Sequence, residues 1–315
     1  MSQIMNAKRF YVGITDNDWF DFLSMLMPDE VNFWRPGGGE FKSLEPGELF
    51  LFKLHSPLNF IAGGGFFVKY SIVPTSLAWE TFGEKNGTEN FVELLSKINM
   101  FRRRHGNPFK PDPPIGCIVL ANPFFFKKED WVPAKKYLHP NIVRGIAYDT
   151  SSYLGAQLWE DVQIRLKSYP IPDIPTAAEE DAIYGSEYLV RGRLGQGAFR
   201  IIVTDAYNRT CAITGERTLP VLEAAHIKPI TESGPNFVNN GLLLRSDLHK
   251  LFDLGYLTIT KDFNVEVSKR IKEEFKNGRE YYKFHGDKLQ AVPANLIERP
   301  SKDYIEWHNQ NIYIP

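Results

Sequence analysis

Four residues between positions 226 and 253 have types and spacing suited to phosphodiester hydrolysis: His226, Asn240, His249 and Asp253. His249 and Asp253 stand four apart in Ser-Asp-Leu-His-Lys-Leu-Phe-Asp, so on a helix they share one face. Ser246 or Asp247 is placed to cap that helix. An imidazole and a carboxylate on one face can hold a divalent metal ion. His226 follows Leu-Glu-Ala-Ala and precedes Ile227, which puts it at the end of a short strand. A histidine there, facing the helix, can take a proton from water beside the metal. Neutralising the phosphate and generating the nucleophile are the two tasks that cutting a phosphodiester requires.

Those residues need a frame. Asn240 leads directly into the apolar run Gly241-Leu242-Leu243-Leu244, which reads as a second strand before the helix. The expectation is a strand, a loop, a strand and a helix, all within Cys211 to Gly255. Upstream, Arg191, Arg193 and Arg200 lie in Arg-Gly-Arg-Leu-Gly-Gln-Gly-Ala-Phe-Arg and suit phosphate contacts. The Gly195-Gln196-Gly197 piece lacks the later glycine of a nucleotide-binding loop. Positions 199 to 208 are expected to be helical.

This stretch resembles the HNH (ββα-metal) endonucleases, in the branch that carries Cys-x-x-Thr-Gly, then Glu-Ala-Ala-His-Ile-x-Pro, then Asn-Gly-Leu-Leu-Leu-x-x-Asp-Leu-His-x-Leu-Phe-Asp-x-Gly. Here those are Cys211 to Gly215, Glu223 to Pro229 and Asn240 to Gly255. The resemblance implies that His226 is the general base, that Asn240 pins the loop aiming it, and that His249 with Asp253 binds the metal. Mg²⁺ or Mn²⁺ is the implied ion, with Ni²⁺ or Zn²⁺ as alternative occupants. The chain departs from many members at Ala225, where a further ligand often stands. Few protein ligands suit Mg²⁺, which keeps its waters, and Glu223 is a poorly placed substitute. Thr214 stands where a second cysteine would complete a pair, so no structural zinc is expected.

The first half of the chain reads as many short strands with few helices. Arg9 to Ile14, Leu49 to His55, Phe60 to Tyr70, Ile115 to Leu120 and Ile142 to Ala147 are predicted strands. Phe20 to Met27, Ser76 to Phe82 and Glu89 to Met100 are predicted helical. Asn32 to Gly39 reads as a glycine-rich loop. Glycines 63 to 65 inside a strand mark a bulge or a close backbone approach. The pieces Glu45 to Lys53, Ile61 to Phe67 and Ala78 to Gly83 resemble the PUA-like superfamily, whose EVE, YTH, ASCH and SRA branches include readers of modified or flipped bases. That resemblance implies a small β-barrel with a base pocket. Its candidate members are Trp34 and Trp79 for stacking, Phe33 or Phe66 behind them, and Asn32, Ser76 and Asn86 for the polar edge. Each tryptophan taken alone is more often core than cage.

The expected architecture is α+β: residues 1–155 as a PUA-like recognition domain, 156–187 as a helix and Pro-rich linker, and 188–315 as the HNH domain. Pro170, Pro172 and Pro175 forbid helix and favour a stiff spacer. Net charge is −1, so total charge does not argue for nucleic acid. Between Lys97 and Lys136, however, nine Lys or Arg face three acids among aromatics, which suits a phosphate backbone. Two cysteines in separate regions give no disulfide framework, which fits a reducing cytoplasm. No segment has the length of a membrane span.

The expected function is a modification-dependent restriction endonuclease acting on double-stranded DNA, with a homodimer as one candidate assembly. Two alternatives stay open: an HNH nuclease of mobile DNA or repair whose first domain reads sequence or shape, and a non-cutting reader of nucleic acid, modified RNA included.

Overall fold

The structure is a computed structural model that describes residues 9–37, 39–139, 142, 145–169 and 194–315. The predicted proline spacer and Arg191 and Arg193 lie outside the described residues. The chain divides into two compact units, Met1–Ala198 and Phe199–Pro315, and is α+β as expected.

The first unit is built on one sheet of seven strands: β1 Arg9–Thr15, β2 Glu30–Arg35, β3 Leu49–Leu54, β4 Phe60–Pro74, β5 Pro114–Phe125, β6 Val132–Pro133 and β7 Gly145–Asp149. The order is β2-β5-β4-β3-β1-β7, with β6 on β4. β1 and β3 run parallel and the other pairs antiparallel. A parallel pair needs a long crossover, and the helix Asn17–Leu26 with β2 supplies it. That helix starts where Asp16 Oδ1 accepts the N–H groups of Asp18 and Trp19.

Leu-Phe-Leu-Phe in β3 shows why the sheet is buried on both faces. Leu49 and Leu51 join a core with Phe10, Val12, Leu158, Trp159 and Val162, under the helix Tyr153–Leu166. Phe50 and Phe52 point the other way, into a core with Trp19, Phe20, Leu23, Ile118 and Leu120. Successive strand side chains alternate faces, so four consecutive apolar residues serve two cores.

The residues read as a glycine-rich loop begin instead as a strand, since Asn32 to Arg35 lie in β2 against Val119 to Gly116 of β5. Val31, Phe33 and Trp34 have the β-branched and aromatic character that half-buried strands favour. Only the part from Pro36 onward leaves the sheet. In β4 the glycines mark both a bulge and close approach. The register shifts between Gly64 and Phe66, and a Cβ on Gly63 would sit 2.3 Å from the carbonyl oxygen of Phe124.

The second unit packs two short antiparallel pairs and several helices around one core. β8 Leu222–His226 pairs with β9 Gly241–Arg245, and β10 Leu257–Ile259 with β11 Val265–Val267. Phe199, Tyr207, Cys211, Leu242, Leu244, Leu248 and Phe252 are among its buried residues. The Cys211 thiol is buried and accepts the N–H groups of Thr214 and Arg245, which ties the Cys-x-x-Thr-Gly turn to the end of β9.

His308, on the helix Lys302–Asn311, is a packing residue of this core. Its ring stacks on Phe252 at 3.9 Å, with Nε2 3.2 Å from the Phe252 carbonyl and Nδ1 2.9 Å from Thr258 Oγ1. Burial lowers its pKa from 6.5 to about 4. The unfolded ring therefore takes up a proton that the folded ring refuses between those values. Stability is fully present above about pH 6.5 and falls as the pH drops toward 4, by a total of about 3 kcal/mol from this group. Thermal melting at pH 7 and pH 4.5 should show that loss, and His308→Gln should show less of it.

Candidate active site

β8, β9 and the helix Ser246–Asp253 form a ββα unit. The ladder runs from Leu222 opposite Arg245 to His226 opposite Gly241. His226 is thus the last residue of β8, as its neighbours in sequence suggest. The helix that follows β9 carries His249 and Asp253 one turn apart, with His249 Nε2 3.3 Å from Asp253 Oδ2. Leu248 and Phe252 point the other way into the core.

The helix start differs from expectation. Neither Ser246 nor Asp247 caps it by a side-chain hydrogen bond; Arg245 is the cap residue. Asp247 is engaged elsewhere, accepting from Arg245 Nε at 2.6 Å and Nη2 at 2.8 Å. This bidentate pair is stronger than a neutral cap bond, and it holds the Asp247 carboxyl below its usual range.

Asn240 is fully buried. Its Oδ1 accepts the Lys228 N–H at 2.9 Å, while its Nδ2 donates to the carbonyls of Lys228 and Pro235 at 3.0 and 2.9 Å. Its own carbonyl accepts the Ile227 N–H at 2.8 Å. One side chain therefore staples both ends of the loop that joins β8 to β9, and the first of those ends is next to His226.

The ring of His226 lies flat against Phe199, with centroids 3.8 Å apart and planes within 12°. Nε2 is 2.8 Å from Asn236 Oδ1. Burial pushes the ring's pKa below the ordinary histidine value, as does the neighbouring His249; the Asn236 hydrogen bond and Asp253 act the other way. The net shift favours the neutral, proton-accepting form.

Glu223, a poorly placed substitute ligand by sequence, is instead a partner of His249: its Oε2 is 2.6 Å from His249 Nδ1. The carboxylate accepts a hydrogen bond from Nδ1–H and leaves Nε2 to the Asp253 side, the arrangement that orients metal-binding histidines. Burial raises the Asp253 pKa, and Glu223 adds to the rise, while His249, Lys250 and His226 lower it. A half-exposed carboxylate beside an imidazole nitrogen is a donor set for a hard or borderline divalent ion. Among the described residues no three His, Cys, Asp or Glu side chains form a ready-made cage. His249 and Asp253 are two donors on one helix face, which could hold an ion that retains water.

Arg200 lies half-buried on the helix Gln196–Ala206. Asn236 and Phe199 escaped the sequence reading as partners of His226. Asn236 sits in an irregular loop with no periodicity, and Phe199 is 27 positions away from the ring it covers.

The first unit holds a cavity of about 910 Å³. Of the residues expected in a base pocket, Phe33 and Trp34 line it, together with Trp19 and Phe41. Asn32, Phe66, Ser76, Trp79 and Asn86 do not. Asn32 and Asn86 are buried and bonded to each other at 2.9 Å, and Asn86 also donates to the carbonyls of Ala78 and Gly83. Asn86 instead supports the wall, because its carbonyl accepts the Trp34 Nε1–H at 2.9 Å. Ser76 is exposed and bonded to Asp112, and Trp79 is half-buried on the helix Thr75–Phe82. Arg102 and Arg104 line the cavity from the C-terminal end of the helix Phe91–Arg104. The Arg102 Nε is buried without a hydrogen-bond partner.

A two-stranded hairpin ending in histidine, followed by a helix carrying His and Asp a turn apart, defines the ββα class of nuclease site. Residues 211–260 match the family model for HNH endonucleases. The second unit therefore carries an HNH endonuclease domain, and the protein is a nuclease. No curated protein matches the chain. Among solved structures, an ASCH protein from Zymomonas mobilis is similar at 8% identity and a TM-score of 0.33, covering 49% of this chain and 96% of that one. The modification-dependent TagI restriction endonuclease is similar at 13% identity and a TM-score of 0.28, covering 90% of this chain and 75% of that one. No helix among the described residues is long and apolar enough to cross a membrane.

Proposed function

We propose that the protein is a modification-dependent DNA endonuclease in which His226 is the general base, Asn240 its orienter, and His249 with Asp253 the metal ligands. The observation that carries the catalytic half is the convergence of a neutral-leaning His226 with the His249–Asp253 pair on one hairpin and helix. His226 accepts the proton of the attacking water. His249 and Asp253 would hold a divalent ion such as Mg²⁺ or Mn²⁺, which when bound would supply positive charge against the scissile phosphate and the leaving 3′ oxygen. Arg200 suits a phosphate contact.

Support for base reading comes from the cavity of the first unit. Its walls of Trp19, Phe33, Trp34 and Phe41 offer faces for a base taken from the stack. Arg102 and Arg104 bring positive charge to the same space, where the phosphates flanking an extruded base require it. The pocket is defined by Phe33 and Trp34 from the expected set, with Asn32 and Asn86 as buried supports.

One incubation tests the reading. Purified protein with Mg²⁺ or Mn²⁺ is given one DNA sequence in unmodified form and with modified cytosines or adenines. Selective cutting of a modified copy supports it. Equal cutting of all copies would assign the first unit to sequence or shape, and no cutting with any metal would make the protein a reader alone.

Glu223 has its own expected outcome. Glu223→Ala removes the acceptor for His249 Nδ1 and should weaken metal binding by about 10–100-fold, as loss of such an outer partner does. Isothermal titration with Mn²⁺ alone reads this without any cleavage assay; an unchanged affinity would detach Glu223 from the metal site.

A further inference from the structure

We propose that Asn236 fixes the tautomer of His226 and thereby makes Nδ1, not Nε2, the atom that takes the proton from water. The second half of this rests on the reading of His226 as the base. Asn236 Oδ1 lies 2.8 Å from His226 Nε2. An amide oxygen can only accept, so the single proton of the neutral ring sits on Nε2. The lone pair is left on Nδ1.

Two neighbours make that choice rigid. Phe199 covers the ring at 3.8 Å and 12°, which sets its plane. Asn236 then sets which edge points which way within the plane. Asn236 is itself held, because Asn240 Nδ2 donates at 2.9 Å to the carbonyl of Pro235, the residue just before it. The buried Asn240 thus reaches the base by two routes: through Ile227 and Lys228 at the end of β8, and through Pro235 and Asn236 to the far side of the ring. Asn236 touches no reacting atom, and its role is to position.

The test uses the full chain labelled with ¹⁵N-histidine, as wild type, Asn236→Ala and Asn236→Asp. Imidazole ¹⁵N shifts above the ring's titration range distinguish the tautomers directly. Wild type should show Nε2–H. Asn236→Ala should shift the ring toward a mixture and lower the cleavage rate by about 10–100-fold, part of what a positioned base contributes. Asn236→Asp keeps an oxygen acceptor, so it should retain Nε2–H and recover the rate at its plateau. Its negative charge favours the imidazolium, so the acid limb of its pH–rate profile should move to higher pH.

A wild-type ring protonated on Nδ1 would overturn the proposal, as would an unchanged ring spectrum in Asn236→Ala. Should the alanine variant fail to fold, Asn236→Asp decides alone: loss of Nε2–H, or an unmoved acid limb, counts against it. Full cleavage by His226→Ala would remove the base reading while leaving the tautomer to stand or fall on the spectra.

Discussion

His226→Ala should lower cleavage by about 10²–10⁴-fold, the range that a positioned general base supplies, while DNA binding and folding persist. The structure gives three reasons for a loss that large. The ring's burial and its place near His249 favour the neutral form that can accept a proton. Phe199 and Asn236 hold it in one orientation, so little reorganisation is needed at the moment of reaction. Neither His249 nor His308 is free to replace it, because His249 is committed to Glu223 and Asp253 and His308 is buried against Phe252. Binding survives because the aromatic cavity and the arginines that line it belong to the first unit. A gel assay for nicking beside a filter-binding assay on the same DNA separates the two effects. A variant that cuts at the wild-type rate would end the assignment.

The second large effect is expected at Asn240, where Asn240→Ala removes a side chain with no exposed surface and three hydrogen bonds. The Lys228 N–H and the carbonyls of Lys228 and Pro235 lose their partner, and each buried polar group left unpaired costs about 1–3 kcal/mol. The unit should lose roughly 3 kcal/mol or more, measured by denaturant unfolding of the full chain. Cleavage should fall with it even where the variant is still folded, since the loop that carries Asn236 is released. Asn240→Asp is the informative partner: it keeps an acceptor for Lys228 and places a carboxylate oxygen against two carbonyls, so it should be no better than alanine. A variant with unchanged stability and unchanged cleavage would show that the loop is held by something else.

The catalytic frame was legible because its information is local. His226, Asn240, His249 and Asp253 fall on a hairpin and one helix whose spacing the sequence displays, and the strand Gly241–Arg245 and helix Ser246–Asp253 fall where the apolar run and the His-x-x-x-Asp spacing put them. What could not be read was the contact between elements. Glu223 reaches His249 across 26 positions, through the twist between β8 and the helix, and periodicity carries no such information. The polar edge expected of the base pocket was unreadable for the same reason. Asn32 and Trp34 are neighbours on one strand, but Asn32 is turned into a buried pair with Asn86, 54 positions away, whereas Trp34 reaches the cavity. Polar residues near a tryptophan look alike in sequence whether they line a pocket or buttress it. The dual cores of the sheet, by contrast, were foreshadowed by the run Leu49 to Phe52, which is apolar at every position and so has no solvent face.

The hairpin that joins His226 to the helix of His249 and Asp253 has only five paired positions. A slip of one residue would send His226 to the opposite side and leave His249 and Asp253 without it. A misaligned hairpin would therefore separate the side chains that the proposed chemistry needs together, so strand register is itself a condition for cutting.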